Sequence, residues 1–175
     1  MNIFIIWPWW VWKSTSWKIL ADRLWLKLID LDQEFMKTIG NIWDYIHNIW
    51  YEKYYQKNSE LFSSLLKKYS AEYIFVVSSW FMTYTNELTK KHLEIIQKNW
   101  ISILLLPSKS IKKSIDIVVK RQLLRWFNLD YEKEKNKIEA RYMIYKKYWD
   151  IKIFSYKTPE EIVNEMIKKI NNHKI

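Results

Sequence analysis

Lys13, Ser14 and Thr15 stand together at the end of the run Ile5-Ile6-Trp7-Pro8-Trp9-Trp10-Val11-Trp12. A lysine followed by hydroxyl residues, between a short apolar strand and a helix, is the chemistry of a phosphate cradle. The ammonium reaches the outer phosphates of a nucleoside triphosphate, and the first hydroxyl ligates Mg²⁺. Such a cradle turns successive backbone N–H groups inward, at positive φ and with no Cβ near the ligand, which glycine alone supplies cheaply. Here tryptophan stands at 7, 9, 10 and 12. With glycine at those positions the segment reads G-P-G-G-V-G-K-S-T and satisfies G-x-x-x-x-G-K-[ST]. The cradle residues are then Trp9, Trp10, Val11, Trp12, Lys13, Ser14 and Thr15, with Ser14 on the metal.

The substitution runs through the whole chain. There are 12 Trp and 1 Gly, whereas an average chain of this length has roughly a dozen glycines. Trp25 ends an amphipathic helix, where a C-cap glycine belongs. Trp100 follows Lys98-Asn99 at a helix-to-strand turn, Trp149 precedes the strand at Ile151, and Trp126 follows Leu123-Leu124-Arg125. We read most or all of these positions as glycine in the natural protein. The mechanism is a UGA codon that the source organism decodes as glycine and a translation table renders as tryptophan. Abundant Lys, Asn, Ile and Tyr fit the AT-rich genome this implies. The literal chain, with four indoles in the cradle, is expected to be inactive.

Asp30 and Asp32 close a second apolar segment, Leu28-Ile29-Asp30-Leu31-Asp32. Residues two apart on an extended chain share a face, so both carboxylates can look into one site. In open parallel sheets ligands bind at this carboxyl edge. One carboxylate can serve Mg²⁺ through its water shell and the other a substrate hydroxyl. The alternative is that one of them caps the next helix, which Asp32 could do with Gln33-Glu34 following.

These groups need a frame. Strands are expected at Asn2–Ile6, Lys27–Asp30, Tyr73–Val77, Ile101–Leu106 and Ile151–Phe154. Helical patterns lie between and after them, over Lys13–Leu24, Asp32–Thr38, Ile42–Ile49, Tyr51–Tyr69, Thr85–Asn99, Lys109–Val119, Tyr131–Tyr148 and Pro159–Asn171. Strand-helix alternation with continuously apolar strands predicts an α/β fold, a parallel sheet covered on both faces. The 175 residues fit a single domain, 1–175. The chain has no cysteine, which removes disulfides and thiolate metal sites. No apolar run approaches ~18 residues and no leader pattern opens the chain, so a cytoplasmic, soluble protein is expected. The net charge of +10 is spread as lysine pairs along helices, the pattern of solvated faces, and suits anionic small substrates. Neither a nucleic-acid nor a membrane partner is expected.

With these residues assembled, the chain resembles the shikimate kinases over nearly its whole length. Trp7 to Thr15, read with glycine, matches their phosphate loop, and Trp17-Lys18-x-Leu20-Ala21 follows in the first helix. Asp30-Leu31-Asp32-Gln33-Glu34 with Gly40 is similar to the family's D-x-D-x-x-I stretch ending in T-G. Ile49 to Tyr55 sits where the family has G-E-x-x-F-R, and Ser78-Ser79-Trp80 where it has G-G-G. Arg121-Gln122-Leu123-Leu124 looks like the lid's R-P-L-L, and Arg141-x-x-x-Tyr145 like the R-x-x-x-Y after it.

The resemblance implies a three-layer P-loop kinase fold. Its five-stranded sheet would run in order 2-3-1-4-5, with a lid at about 120–131. The reaction would be ATP- and Mg²⁺-dependent phosphorylation of the shikimate 3-hydroxyl, a step towards chorismate and the aromatic amino acids, by a monomer. Lys13, Asp32 and Arg121 would be catalytic, with Arg121 on the transferring phosphoryl group. Asp30 would join Ser14 on the metal side. Asp32, Tyr55, Ser79, Trp80 and Arg141 would hold the acceptor, Arg141 by its carboxylate.

The chain departs from the family at Tyr55, where a second arginine belongs, at Asn58 for an acid, and at Gln122 for the lid proline. It also lacks an arginine in Lys109–Val119. These departures keep two other readings open: a P-loop kinase for a nucleoside monophosphate or sugar acid, and a non-catalytic nucleotide- or nucleic-acid-binding module. His47, His92 and His173 have no metal-ligand spacing, and His92, on a lysine-rich helix, is expected in solvent. The group Tyr45, Tyr51, Tyr54 and Tyr55 reads as packing. Glu132 to Lys137 reads as a solvated helix start.

Overall fold

A computed structural model describes residues 1–6, 13–69, 72–77, 81–83, 86–124, 129–145 and 147–173, with the side chains of Lys13, Ser14, Asn86 and Asn99 excepted. Strand β1 (Ile3–Ile6) is buried at every position. It pairs in parallel with β3 (Tyr73–Val76) on one side and β4 (Ile101–Leu106) on the other. Strand β2 (Lys27–Asp30) joins β3, and β5 (Ile151–Phe154) joins β4. The order is β2-β3-β1-β4-β5, as the resemblance implied. A central strand is apolar on both faces because helices cover both.

The period-2 alternation of β1 sorts its residues between two cores. Ile3 and Ile5 face Trp17, Leu20 and Ala21 of α1 (Lys13–Leu24) and Ile162, Val163 and Met166 of α8 (Pro159–His173). Phe4 and Ile6 face the other way, into a cluster with Phe62 and Leu65 of α4 (Tyr51–Lys68) and Ile96 of α5 (Asn86–Asn99). Tyr142 and Tyr145 of α7 (Tyr131–Tyr145) close the same side. Phe62 packs edge-on to Phe75 at 5.1 Å and Phe81 at 4.8 Å between ring centroids. Each such buried side chain contributes about 1.5–3 kcal/mol. A third, smaller cluster joins Ile115, Val118 and Val119 of α6 (Ile111–Leu123) to Ile138 of α7. Among the described residues, no helix is long and apolar enough to cross a membrane.

The helix starts follow their capping chemistry. Thr158 and Glu161 form a reciprocal box before α8, Glu161 accepting from Thr158 N at 2.9 Å and Thr158 Oγ1 from Glu161 N at 3.4 Å. Ser110 caps α6, so that helix runs later than the expected 109–119 and carries Arg121 and Gln122 in its last turn. Helix α2 (Leu31–Thr38) begins one residue before the expected start, because Asp30 is its N-cap. A single 3₁₀ turn, Phe81–Thr83, has no counterpart in the sequence reading.

Two tryptophans hold backbone angles that belong to glycine. Trp25, past the end of α1, has φ +54°, and Trp50, between α3 (Ile42–Ile49) and α4, has φ +78° with ψ 154°. The second pair lies at the border of the region essentially reserved for glycine and costs an L-residue about 1–3 kcal/mol. Both indoles are solvent-exposed, so packing offsets little of this strain. Trp50→Gly is therefore expected to stabilise the protein by about 1 kcal/mol after the entropy of a new glycine is deducted, or ~2–4 °C in melting temperature. A calorimetric scan checks it, and a lower melting temperature contradicts it. Trp100 differs: its indole is buried, packing against Phe4 at 5.7 Å and Tyr73 at 5.2 Å.

Candidate active site

The carboxyl edge of the parallel sheet gathers the ends of β1, β2 and β3. Asp30 lies beside Val76, and Val76 beside Ile5. From this edge the chain leaves β1 towards Lys13, leaves β2 into α2, and leaves β3 towards residue 78. Lys13 opens α1, as the sequence requires of a phosphate-binding lysine. Trp9, Trp10, Val11, Trp12, Ser79 and Trp80 lie outside the described residues, as do the side chains of Lys13 and Ser14. Thr15 is exposed on the first turn of α1.

The two aspartates divide their work differently from the alternative considered above. Asp30, not Asp32, is the helix cap: its Oδ1 accepts from the N–H of Asp32 at 3.1 Å and of Gln33 at 3.3 Å. The cap bond fixes the carboxylate, and Oδ2 makes no hydrogen bond among the described residues. Asp32 is thereby held on the first turn of α2, half-buried at the sheet edge.

Phe35, one turn on, packs edge-on to Tyr45 of α3 at 5.4 Å and to Tyr54 of α4 at 5.2 Å. Tyr54 in turn contacts Tyr55 at 5.9 Å, and Tyr55 contacts Tyr51 at 6.2 Å. The tyrosine group is packing, as its spacing indicated, and it ties Asp32 to Tyr55 through one aromatic row. Asn58 is buried a turn below and donates to the Tyr54 hydroxyl at 3.4 Å.

Arg141 comes to the same place from α7. It is 5% exposed, and burial lowers its pKa to about 10, opposed electrostatically by Tyr145, Tyr55 and Glu134. The guanidinium remains charged at neutral pH. The Tyr55 phenol is raised by its own burial and pulled back by Arg141. Tyr55 and Arg141 thus act on one another electrostatically. Tyr145, fully buried, is raised by desolvation and hydrogen-bonded to the main chain of Met82. That bond anchors the 3₁₀ turn just after residues 78–80. Arg121 is half-buried in the last turn of α6. Its neighbour Gln122 buries an Oε1 that has no partner among the described residues.

Two expectations are corrected. His92 is fully buried, not solvated: it stacks on Phe81 at 4.2 Å, and its Nε2 lies 2.7 Å from Ser59 Oγ. Leu88, His92 and Ile96 recur every four residues, a core stripe that the surrounding lysines hide. Glu134 is also buried, at 5% exposure, although it sits in the charged run Glu132 to Lys137. It shares a face with Ile138, Arg141 and Tyr145 at helical spacing, the signal that could have found it.

Burial lowers the His92 pKa to about 4 from 6.5, with a main-chain hydrogen bond at Phe81 acting the other way. Between those values the unfolded chain binds the proton and the native one does not, so stability falls as pH drops from 6.5 towards 4. The loss approaches about 3 kcal/mol. His92→Asn is expected to flatten this limb in denaturant titrations run from pH 7 to pH 4. An unchanged slope counts against His92 as its source.

The sequence profile of the family described as shikimate kinase matches residues 11–171. A sequence search of curated proteins finds no match. Shikimate kinase from Aquifex aeolicus superposes with a TM-score of 0.77 at 18% identity, covering 100% of this chain and 99% of that one. The enzyme from Acinetobacter baumannii, solved with shikimate, gives a TM-score of 0.78 at 15% identity over 99% and 94% of the two chains. Deoxyadenosine kinase from M. mycoides gives 0.60 at 14% identity over 98% and 100%. The fold is thus that of P-loop small-molecule kinases, phosphotransferases acting on a hydroxyl acceptor. The profile spans most of the chain, and the protein belongs to the shikimate kinase family.

Proposed function

We propose that this chain, with glycine at most or all of its tryptophan positions, transfers the terminal phosphoryl group of ATP to the 3-hydroxyl of shikimate. The observation that carries the acceptor side is the electrostatic meeting of buried Arg141 with Tyr55, whose helix packs through Tyr54 on Phe35 of the helix that carries Asp32. Lys13 supplies charge to the phosphates, Asp32 orients the reacting hydroxyl and accepts its proton, and Arg121 compensates charge on the phosphoryl group in flight. Main-chain groups at Ser79 and position 80 contact the acceptor ring. The Asp30 carboxylate, fixed by its cap, is a hard oxygen donor of the kind Mg²⁺ takes. Ser14 and Asp30 would hold that ion, which when bound neutralises phosphate charge. The protein acts as a monomer in the cytoplasm.

The glycine reading is supported by φ at Trp25 and Trp50. It is supported again at Trp17, whose indole Nε1 is buried with no partner among the described residues, a cost of about 1–3 kcal/mol. Codons at the twelve tryptophan positions, or the mass of the native protein, decide it.

ADP release measured across shikimate, gluconate and nucleoside monophosphates tests the acceptor, and the highest kcat/KM is expected for shikimate. A specific observation favours another acid acceptor: position 55 is a phenol, which carries no charge near neutral pH. One charge-assisted contact is thereby missing, about 1.5–3 kcal/mol. Tyr55→Arg in the glycine form is expected to lower the KM for shikimate, with a smaller effect on kcat. Unaltered shikimate kinetics in that variant, with another acceptor turned over efficiently, would replace shikimate in this assignment.

A further inference from the structure

His92 and Ser59 form a polar pair inside an aromatic core. Both are buried, and Ser59 Oγ lies 2.7 Å from His92 Nε2. Phe62 packs edge-on to the imidazole at 5.3 Å, and Phe81 stacks on it at 4.2 Å and 9°. An apolar side chain in place of His92 would spare the cost of burying polar groups. What the hydrogen bond adds is direction, whereas apolar contact is non-directional. That direction is fixed between α4, which carries Ser59, and α5, which carries His92, with the 3₁₀ turn Phe81–Thr83 held on the imidazole face. The same turn packs on α7. There the Tyr145 hydroxyl is hydrogen-bonded to the main chain of Met82, and both residues are fully buried in one cluster with Phe81.

These contacts join the two helices of the acceptor pair. Ser59 lies one helical turn after Tyr55 on α4, and Tyr145 one turn after Arg141 on α7, the spacing at which side chains on a helix are neighbours. From Tyr55 the path runs through Ser59, His92, the turn and Tyr145 to Arg141, which acts electrostatically on both Tyr145 and Tyr55. We propose that Ser59, His92 and Tyr145 are positioning residues for the acceptor's carboxylate: by gripping the 81–83 turn from α5 and α7, they set the distance of Arg141 from Tyr55. The inference rests on the kinase reading above, which gives that pair to the acceptor, and names what holds it in register. Loss of either hydroxyl frees one side of the same turn, so either loss relaxes the same spacing.

The test is a double-mutant cycle in the full chain with glycine at the tryptophan positions. Ser59→Ala and Tyr145→Phe each remove one hydroxyl and keep the rest of the core. Each is expected to raise the KM for shikimate by about fivefold to tenfold, the scale of one lost hydrogen bond. The kcat and the Kd of Mg-ATP are expected to stay within about twofold. The double variant is expected to match the larger single effect, because both deletions release one turn. Tyr73→Phe removes another buried hydroxyl from the same core cluster and is expected to leave all these constants nearly unchanged. A ligand-free readout accompanies the kinetics. The chain has four arginines, and the Nε–H signal of Arg141 in a heteronuclear NMR spectrum, assigned with Arg141→Lys, is expected to shift in Ser59→Ala and Tyr145→Phe but not in Tyr73→Phe. Multiplicative effects on KM in the double variant, an unaltered KM in the single variants, or kcat and the Mg-ATP Kd moving as far as KM overturn the inference while the kinase reading stands. If shikimate is not phosphorylated although Mg-ATP binds, the acceptor reading fails; shifts of the Arg141 signal in both variants then still support the linkage, and their absence overturns it.

Discussion

With glycine at positions 7, 9, 10 and 12 the chain is expected to bind Mg-ATP, and with tryptophan at those positions it is not. An indole at each place would fill the volume where phosphate oxygens approach the main chain, and would demand backbone angles that only glycine adopts without strain. In the glycine form, Lys13→Ala is expected to lower kcat/KM by about 10²–10³, the scale of losing one pre-organised charge at a transferring phosphoryl group. Isothermal titration of both forms with Mg-ATP is the direct comparison. Equal affinity in the tryptophan form would show that this loop does not bind phosphate in the manner argued.

Asp32→Asn should be nearly as damaging, for a different reason. The amide keeps the size and the hydrogen-bonding reach of the carboxylate but cannot accept the hydroxyl proton, so kcat is expected to fall about 10²–10⁴-fold with little change in fold. Asp30→Asn provides the contrast. Asparagine caps a helix as well as aspartate does, so α2 is retained and only the charge on the metal side is lost. That variant should show a raised Mg²⁺ requirement instead of a uniform loss of rate. Turnover near normal in Asp32→Asn would remove Asp32 from the chemistry.

Much of this architecture was legible in the chain. The central strands were readable because buried parallel strands are short, continuous and apolar, as in Ile3-Phe4-Ile5-Ile6, and the edge strands Lys27–Asp30 and Ile151–Phe154 followed from their alternation with helices. The positions of Lys13, Asp30 and Asp32 followed from local rules about strand ends and helix starts. What escaped was set by tertiary contacts. Which aspartate caps α2 depends on a one-residue difference in where the helix begins. His92 and Glu134 sit among lysines and acids that dominate any reading by composition, while the burial of His92 is made by Phe81 and Ser59, distant in sequence. The convergence of Tyr55 with Arg141 joins residues from two helices, and local pattern alone does not place helices against each other.

The edge-on contacts of Phe35 with Tyr45 and Tyr54 have a mechanical consequence. Helices α2, α3 and α4 meet on one ring, so sliding any of them past the others would open the aromatic row. A change in the separation of Asp32 and Tyr55 would therefore require these ring contacts to open. On the function proposed above, such a row would act as a caliper, setting the span between the reacting hydroxyl and the far end of the acceptor so that length is selected as well as charge.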